Sequence, residues 1–309
     1  MTSHVTPGGT TWTTRSQPLG EHGDVRWLVS DHSATARRVP TVLFLHGAGH
    51  EEDHFEQATL WAPLRHRLMD EGWAVVEGRG GRAPAARANW GNLAAQRAYS
   101  AYLGHVAGVL DVGPVVVIGR SMGGIAASNI YLNDPVVSSL ARGLMLHQAA
   151  CNLGALAAVP AGGVGGSRTG QFWPGLWHAW GTNDAQSFLR AAGPYDPMLW
   201  DPEVWRGKTV WVGVATGDRT VPPEDHGLAL RRRWAGQPRI DRVSTRIGGN
   251  HTYEGLFGAV DLTMSFLYAA ARTAPPTGDG YRVVSRSRWS QDHGLQLVVD
   301  RTQWTGTSS

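Results

Sequence analysis

Ser121, Asp218 and His251 have the side-chain types and the places in the chain that nucleophilic acyl transfer requires. A serine hydroxyl is a weak nucleophile at neutral pH. It needs a base to take its proton and an acid to orient that base. Ser121 lies in Gly119-Arg120-Ser121-Met122-Gly123-Gly124, between the apolar run Val115–Ile118 and the helix-like Ile125–Ile130. A strand, a G-x-S-x-G turn and a helix in that order strain the serine backbone and lift Oγ above the sheet, and the small glycines let flanking backbones pass. The helix that follows turns its positive end toward developing negative charge. Asp218 follows the apolar run Thr209–Ala215, and His251 follows Ile240–Ile247 and the pair Gly248-Gly249. Asp225 is the reserve acid. His226 and His147 are weaker rivals for the base, since neither follows a strand and precedes a helix in that way.

An oxyanion formed at Ser121 needs preorganised N–H donors. Met122 N–H, next after the serine, is one. The second is expected from the loop after Leu45, His46-Gly47-Ala48-Gly49-His50, with Ala48 N–H first and Gly49 second. Gly47 and Gly49 allow backbone to approach a substrate, while His46 reads as a structural tie for the loop. Arg120, Trp173 and Trp177 are expected to border the substrate as well.

These groups must be carried by elements that end on one edge. Thr41–Leu45, Trp73–Val76, Pro114–Ile118, Gly143–His147, Thr209–Ala215 and Ile240–Ile247 read as strands; the continuous apolar runs among them suit strands buried on both faces. Between them, Phe55–Asp70, Leu93–Leu110, the segment after Ser121 and Glu224–Trp234 read as helices, and Leu256–Ala271 follows the last strand as another. Strands alternating with helices at these intervals imply a mainly parallel sheet whose loops converge at the C-terminal strand ends. Two short strands, Thr11–Ser16 and Val25–Ser30, precede this pattern. The alternation breaks between Cys151 and Gly207, a span rich in Gly, Pro and Trp that includes Gly162–Gly166; so long an irregular stretch reads as a functional insertion with a glycine hinge. Pro275-Pro276 reads as a linker, and Tyr281–Trp289 and Leu295–Arg301 as a terminal hairpin. The expected organisation is a domain over 1–274 with an insertion over about 151–207, and an extension over 275–309.

The composition sets limits. The chain has 309 residues with 42% hydrophobic and 17% charged, an ordinary globular balance that excludes wholesale disorder. Net charge is +3 and Lys208 is the only lysine. Arginine dominance of this kind, with Arg231–Arg233 on a predicted helix, gives no reading of nucleic-acid binding. The single cysteine, Cys151, excludes an intrachain disulfide and a zinc–thiolate cluster, and reads as a buried thiol. Neither a signal-peptide pattern nor an apolar run near ~18 residues is present, so a cytoplasmic protein without a membrane span is expected. No metal or other cofactor is expected; Glu51-Glu52-Asp53-His54 reads as a solvated loop.

With Leu45–Gly49, Gly119–Gly124, Gly217-Asp218 and Gly249-Asn250-His251 in this order, the chain resembles the α/β-hydrolase superfamily from about Val25 to Ala271. The order Ser, Asp, His is the one associated with that fold. The resemblance implies a twisted, mainly parallel sheet flanked by helices, a serine acyl-enzyme route and a lid where Cys151–Gly207 falls. The Gly-Gly-Asn-His segment departs from the more usual Gly-His, and the C-terminal hairpin has no counterpart in the basic fold. That hairpin could extend the sheet or join a second copy into a homo-oligomer. The expected activity is hydrolysis of a small carboxylic ester, apolar or aromatic in keeping with the tryptophans at 173, 177, 180, 200 and 205. An amide substrate is the nearest alternative, and a non-catalytic binding protein on the same scaffold is the other.

Overall fold

The computed structural model describes residues 2–82, 88–158, 175–238, 240–246, 248–251, 259–271, 281–290 and 294–303. Among the described residues nine strands form one sheet: β1 (Thr2–Val5), β2 (Thr11–Pro18), β3 (Asp24–Ser30), β4 (Val39–Leu45), β5 (Ala74–Gly78), β6 (Val112–Arg120), β7 (Ala141–His147), β8 (Thr209–Ala215) and β9 (Ile240–Arg246). Their order is β1-β2-β3-β5-β4-β6-β7-β8-β9. β1, β2, β3 and β5 pair antiparallel in succession. From β5 through β9 every pairing is parallel. All parallel strands therefore end on one edge, and the loops that follow them meet there.

Alternation along each strand sorts the core into two layers. Leu43, Leu45, Val115, Val117, Leu144, Leu146, Val210 and Val212 belong to one cluster. Their neighbours Val42, Phe44, Val116, Ile118, Met145 and Trp211 belong to the other. Such period-2 sorting, with both faces apolar, is why these strands read as unbroken hydrophobic runs. The first layer is covered by α3 (Leu93–Val109) and α4 (Gly123–Asn133), through Tyr99, Tyr102, Ala126 and Ile130. The second is covered by α2 (Ala62–Asp70) and the last helix (Val260–Ala271), through Leu64, Leu68, Phe266 and Leu267. The side chain of Asn92 caps α3 by accepting the Ala95 N–H at 2.9 Å. Gly72, at φ +73°, follows α2 where its run stops.

Several boundaries differ from the sequence reading. The expected helix Phe55–Asp70 is divided into α1 (His54–Gln57), a 3-10 turn (Thr59–Trp61) and α2. Proline in the first turn of α2 favours a fresh start there, and α1 is held separately by the Glu77 carboxylate, which accepts the N–H groups of Phe55 (2.7 Å) and Glu56 (3.2 Å). β1 was not expected; it gains its hydrogen bonds by pairing with β2. The span Cys151–Gly207 is more regular than its sequence suggests: it contains helices at Leu153–Ala158 and Ala185–Ala192 and short 3-10 turns at Gly193–Tyr195 and Pro202–Trp205. These elements are too short to give a visible period and depend on caps such as Asp184, whose Oδ1 accepts the Ser187 N–H at 2.8 Å. The glycine run Gly162–Gly166 and Trp173 lie outside the described residues, as do the first residues of the expected helix Leu256–Ala271. The terminal strands, β10 (Tyr281–Ser290) and β11 (Gly294–Gln303), pair antiparallel in a two-stranded sheet of their own.

Candidate active site

β6 delivers Ser121 through the tight turn into α4. Ser121 has φ +51°, a left-handed conformation that L-residues adopt only under constraint. Gly119 and Gly123 supply the constraint. A Cβ on Gly119 would lie 2.6 Å from that of Ala127. One on Gly123 would lie 2.8 Å from the His46 carbonyl oxygen and closer still to that of Leu45. Strand, helix and the loop after β4 are thus pressed together around the serine, and only glycine fits at either position.

The loop after β4 passes directly over the turn. A Cβ on Gly47 would stand 3.1 Å from Ser121 Cβ. Gly49 has φ +81°, and Ala48 packs against the apolar cluster that contains Met122. His46 ties this loop down: Nδ1 is 2.6 Å from the Gly47 carbonyl oxygen and Nε2 is 2.8 Å from that of Arg79. Complete burial holds its pKa below the ordinary histidine range. The acidic stretch 51–54 is not simply solvated as expected. Glu51 and Glu52 both pair with Arg79, at 2.7 and 2.6 Å, and His54 stacks on His50 with ring centroids 3.6 Å apart. Burial pushes His50 down to about 4 and His54 to about 2. Among the described residues no group of three or more His, Cys, Asp or Glu side chains could hold a metal ion.

Asp218 and His251 reach the serine from the loops after β8 and β9. Asp218 Oδ1 accepts the N–H groups of Thr220 and Val221, both at 2.9 Å. Its Oδ2 lies 2.6 Å from His251 Nδ1, and His251 Nε2 lies 2.8 Å from Ser121 Oγ. Hydroxyl, imidazole and carboxylate therefore form one hydrogen-bonded line. Its geometry fits an imidazole protonated on Nδ1 with its Nε2 lone pair facing the hydroxyl. Burial holds the His251 pKa below the ordinary value, reinforced by the charge of Arg120 and opposed by Asp218. Gly217 permits the approach of the two loops, since a Cβ there would be 2.6 Å from the Gly249 carbonyl oxygen.

The rival residues make other contacts. Asp225 is exposed, and its carbonyl oxygen accepts the Asn152 side-chain amide at 2.9 Å. His147 is buried against Trp61, ring centroids 5.2 Å apart. His226 Nδ1 accepts the Cys151 N–H at 3.3 Å, and burial lowers its pKa to about 4. Cys151 itself is fully buried, which raises its thiol pKa strongly. Of the tryptophans, Trp177 and Trp180 pack on the apolar cluster beside Met122 and Ala48. Trp205 instead joins the main core, against Trp234 at 4.5 Å between centroids.

Two participants escaped the sequence reading in whole or in part. Arg120, expected to border substrate, is only 6% exposed, and its guanidinium turns to His251. Gln148, in the left-handed region at φ +46°, donates from Nε2 to the Asn250 carbonyl oxygen at 2.8 Å. Its position immediately after β7, at the edge where the other loops converge, was the available signal.

Residues 42–295 match the family model described as "Alpha/beta hydrolase family". No curated protein matches the chain. Among solved structures, an S-formylglutathione hydrolase from Agrobacterium tumefaciens is similar with TM-score 0.63 and 12% identity, covering 88% of this chain and 99% of that one. The thermostable carboxylesterase EstE1, cloned from a metagenomic library, gives TM-score 0.58 and 20% identity, covering 84% and 87%. A prolyl endopeptidase gives TM-score 0.62 and 16% identity over 85% of this chain, which spans only 39% of that larger protein.

Proposed function

The chain belongs to the alpha/beta hydrolase family, and from that premise we propose that it is a serine hydrolase that cleaves a carboxylic ester through an acyl-enzyme. Ser121 Oγ attacks the ester carbonyl as His251 Nε2 takes its proton, and Asp218 orients the imidazole and stabilises the imidazolium. The N–H groups of Ala48 and Met122 receive the oxyanion. His251 returns the proton to the departing alcohol. A water molecule, activated by the same imidazole, then attacks the acyl-serine and releases the acid. The observation that carries this reading is the line of contacts from Ser121 Oγ through His251 to Asp218, at 2.8 and 2.6 Å.

The apolar cluster of Trp90, Ile125, Leu153, Leu156, Phe188 and Val221, which continues to Met122 and Ala48, supports an apolar or aromatic substrate. In this reading Gly47 and Gly49 give the substrate room, Trp173 and Trp177 border it, and the segment 151–207 serves as the lid. Turnover of short p-nitrophenyl esters should exceed that of aminoacyl-anilides when both are compared at equal concentration. Preference for the anilides would make the protein an amide hydrolase with the same machinery. Turnover of neither, with folded protein, would favour a binding role.

A further inference from the structure

Arg120 precedes the nucleophile, and its buried guanidinium spends two nitrogens on one residue. Nη2 donates to the His251 carbonyl oxygen, and Nη1 lies 3.1 Å from His251 Nε2. A guanidinium has only donors and keeps its charge. Nη1 can therefore hydrogen-bond Nε2 only while that nitrogen carries its lone pair, which it then shares with the Ser121 hydroxyl, the state in which Nδ1–H faces Asp218. A proton on Nε2 would set N–H against N–H beside a fixed positive charge. From these contacts we infer that Arg120 is a positioning residue that anchors the His251 main chain and holds its imidazole in the neutral, proton-accepting form. The inference rests on His251 acting as the base proposed above.

The other charged and titratable groups around the imidazole leave this task to Arg120. Asp218, from the loop after β8, favours the imidazolium. His50, from the loop after β4, and His226, ahead of the helix Gly227–Trp234, both interact with His251 electrostatically, and burial takes each to about 4. They are uncharged at neutral pH. Among the described residues Arg120 is then the nearby cation that opposes Asp218. Its own burial lowers its pKa only to about 10, so it stays charged through the working range. Gln148 holds the preceding residue, Asn250, independently. Loss of the arginine would thus leave the histidine loop tethered while removing the charge.

The test is direct titration of His251 by NMR in protein carrying 15N-labelled histidine. Wild type, Arg120→Lys, Arg120→Gln and Arg120→Met are compared, with His251→Gln assigning the signal. The midpoint should rise by about 1 pH unit or more in Arg120→Gln and Arg120→Met, as expected for removal of a charge within about 4–6 Å. Arg120→Lys should stay near wild type because it keeps the charge. Should Arg120→Met fail to fold, the Gln and Lys variants still make the comparison. A midpoint that agrees within about 0.3 unit in every folded variant, or one that falls when the charge is removed, would overturn the inference, because a purely structural role predicts no upward shift. Reaction of Ser121 with a fluorophosphonate is measured on the same samples. A midpoint that moves in an unlabelled protein upholds the Arg120 contact and overturns the hydrolase reading; a labelled protein whose midpoint does not move does the reverse.

Discussion

Replacing Asp218 by asparagine tests the acid through its hydrogen bonds rather than its bulk. Asp218 Oδ1 is held by two backbone N–H groups, from Thr220 and Val221, each at 2.9 Å, and the side chain is only 1% exposed. An asparagine here must keep its carbonyl oxygen toward those two donors. Turning the amide around would leave both unsatisfied, at about 1–3 kcal/mol apiece. The NH2 group is therefore forced toward His251 Nδ1, where the carboxylate now sits at 2.6 Å. Nδ1 becomes the acceptor, the ring proton moves to Nε2 against the opposition of the Arg120 guanidinium, and Ser121 faces a donor in place of a base. The expected loss in kcat is about 10⁴-fold, equivalent to ~5.5 kcal/mol of barrier. Steady-state hydrolysis of a p-nitrophenyl ester by wild type, Asp218→Asn and Asp225→Asn measures it, with circular dichroism to establish folding. Exposed Asp225 should tolerate the change within about twofold. If Asp218→Asn stayed within tenfold of wild type while Asp225→Asn was crippled, the orientation argument would fail.

Gly123→Ala should destabilise the protein by about 2–3 kcal/mol, since the new Cβ meets the carbonyl oxygens of Leu45 and His46. Urea unfolding with the stability of wild type would contradict this. Glu77→Gln should alter how stability depends on pH. Burial, helped by the neighbouring Glu56 charge, raises the Glu77 pKa from 4.5 to about 8. Below pH 4.5 both states hold the proton; as pH climbs from there through 8 the native state must keep a proton the unfolded chain has lost, or bury the charge. Stability from this group is therefore lost over that window. Wild type should fall relative to Glu77→Gln between pH 5 and pH 8.5, by an amount on the order of a few kcal/mol. Parallel curves for the two proteins would contradict the assignment.

What could be read in the sequence follows from how local its cause is. Thr41–Leu45 and Val115–Ile118 are legible as strands because burial on both faces leaves no polar position to interrupt them. The turn at Ser121 is legible because Gly119 and Gly123 are demanded by contacts with immediate neighbours, α4 and the end of β4. Asp218 and His251 could be nominated because strand ends in a parallel sheet share an edge. The break after α1 could not be read, since the carboxylate that binds its N–H groups belongs to Glu77, on the distant strand β5. Nor could the direction of Arg120: its contact with His251 spans 131 positions and depends on where the last loop arrives. Trp205 looked like part of the insertion, yet Trp234 draws it into the core, a pairing with no periodic signature.

The proposed chemistry requires that His251 make the hydroxyl of Ser121 nucleophilic. Incubation with a fluorophosphonate, followed by mass analysis of proteolytic peptides, measures this directly. One adduct per chain on the Ser121 peptide is expected, lost in Ser121→Ala and strongly slowed in His251→Ala. Folded wild-type protein that stays unmodified, or that carries its adduct on another residue, would contradict it.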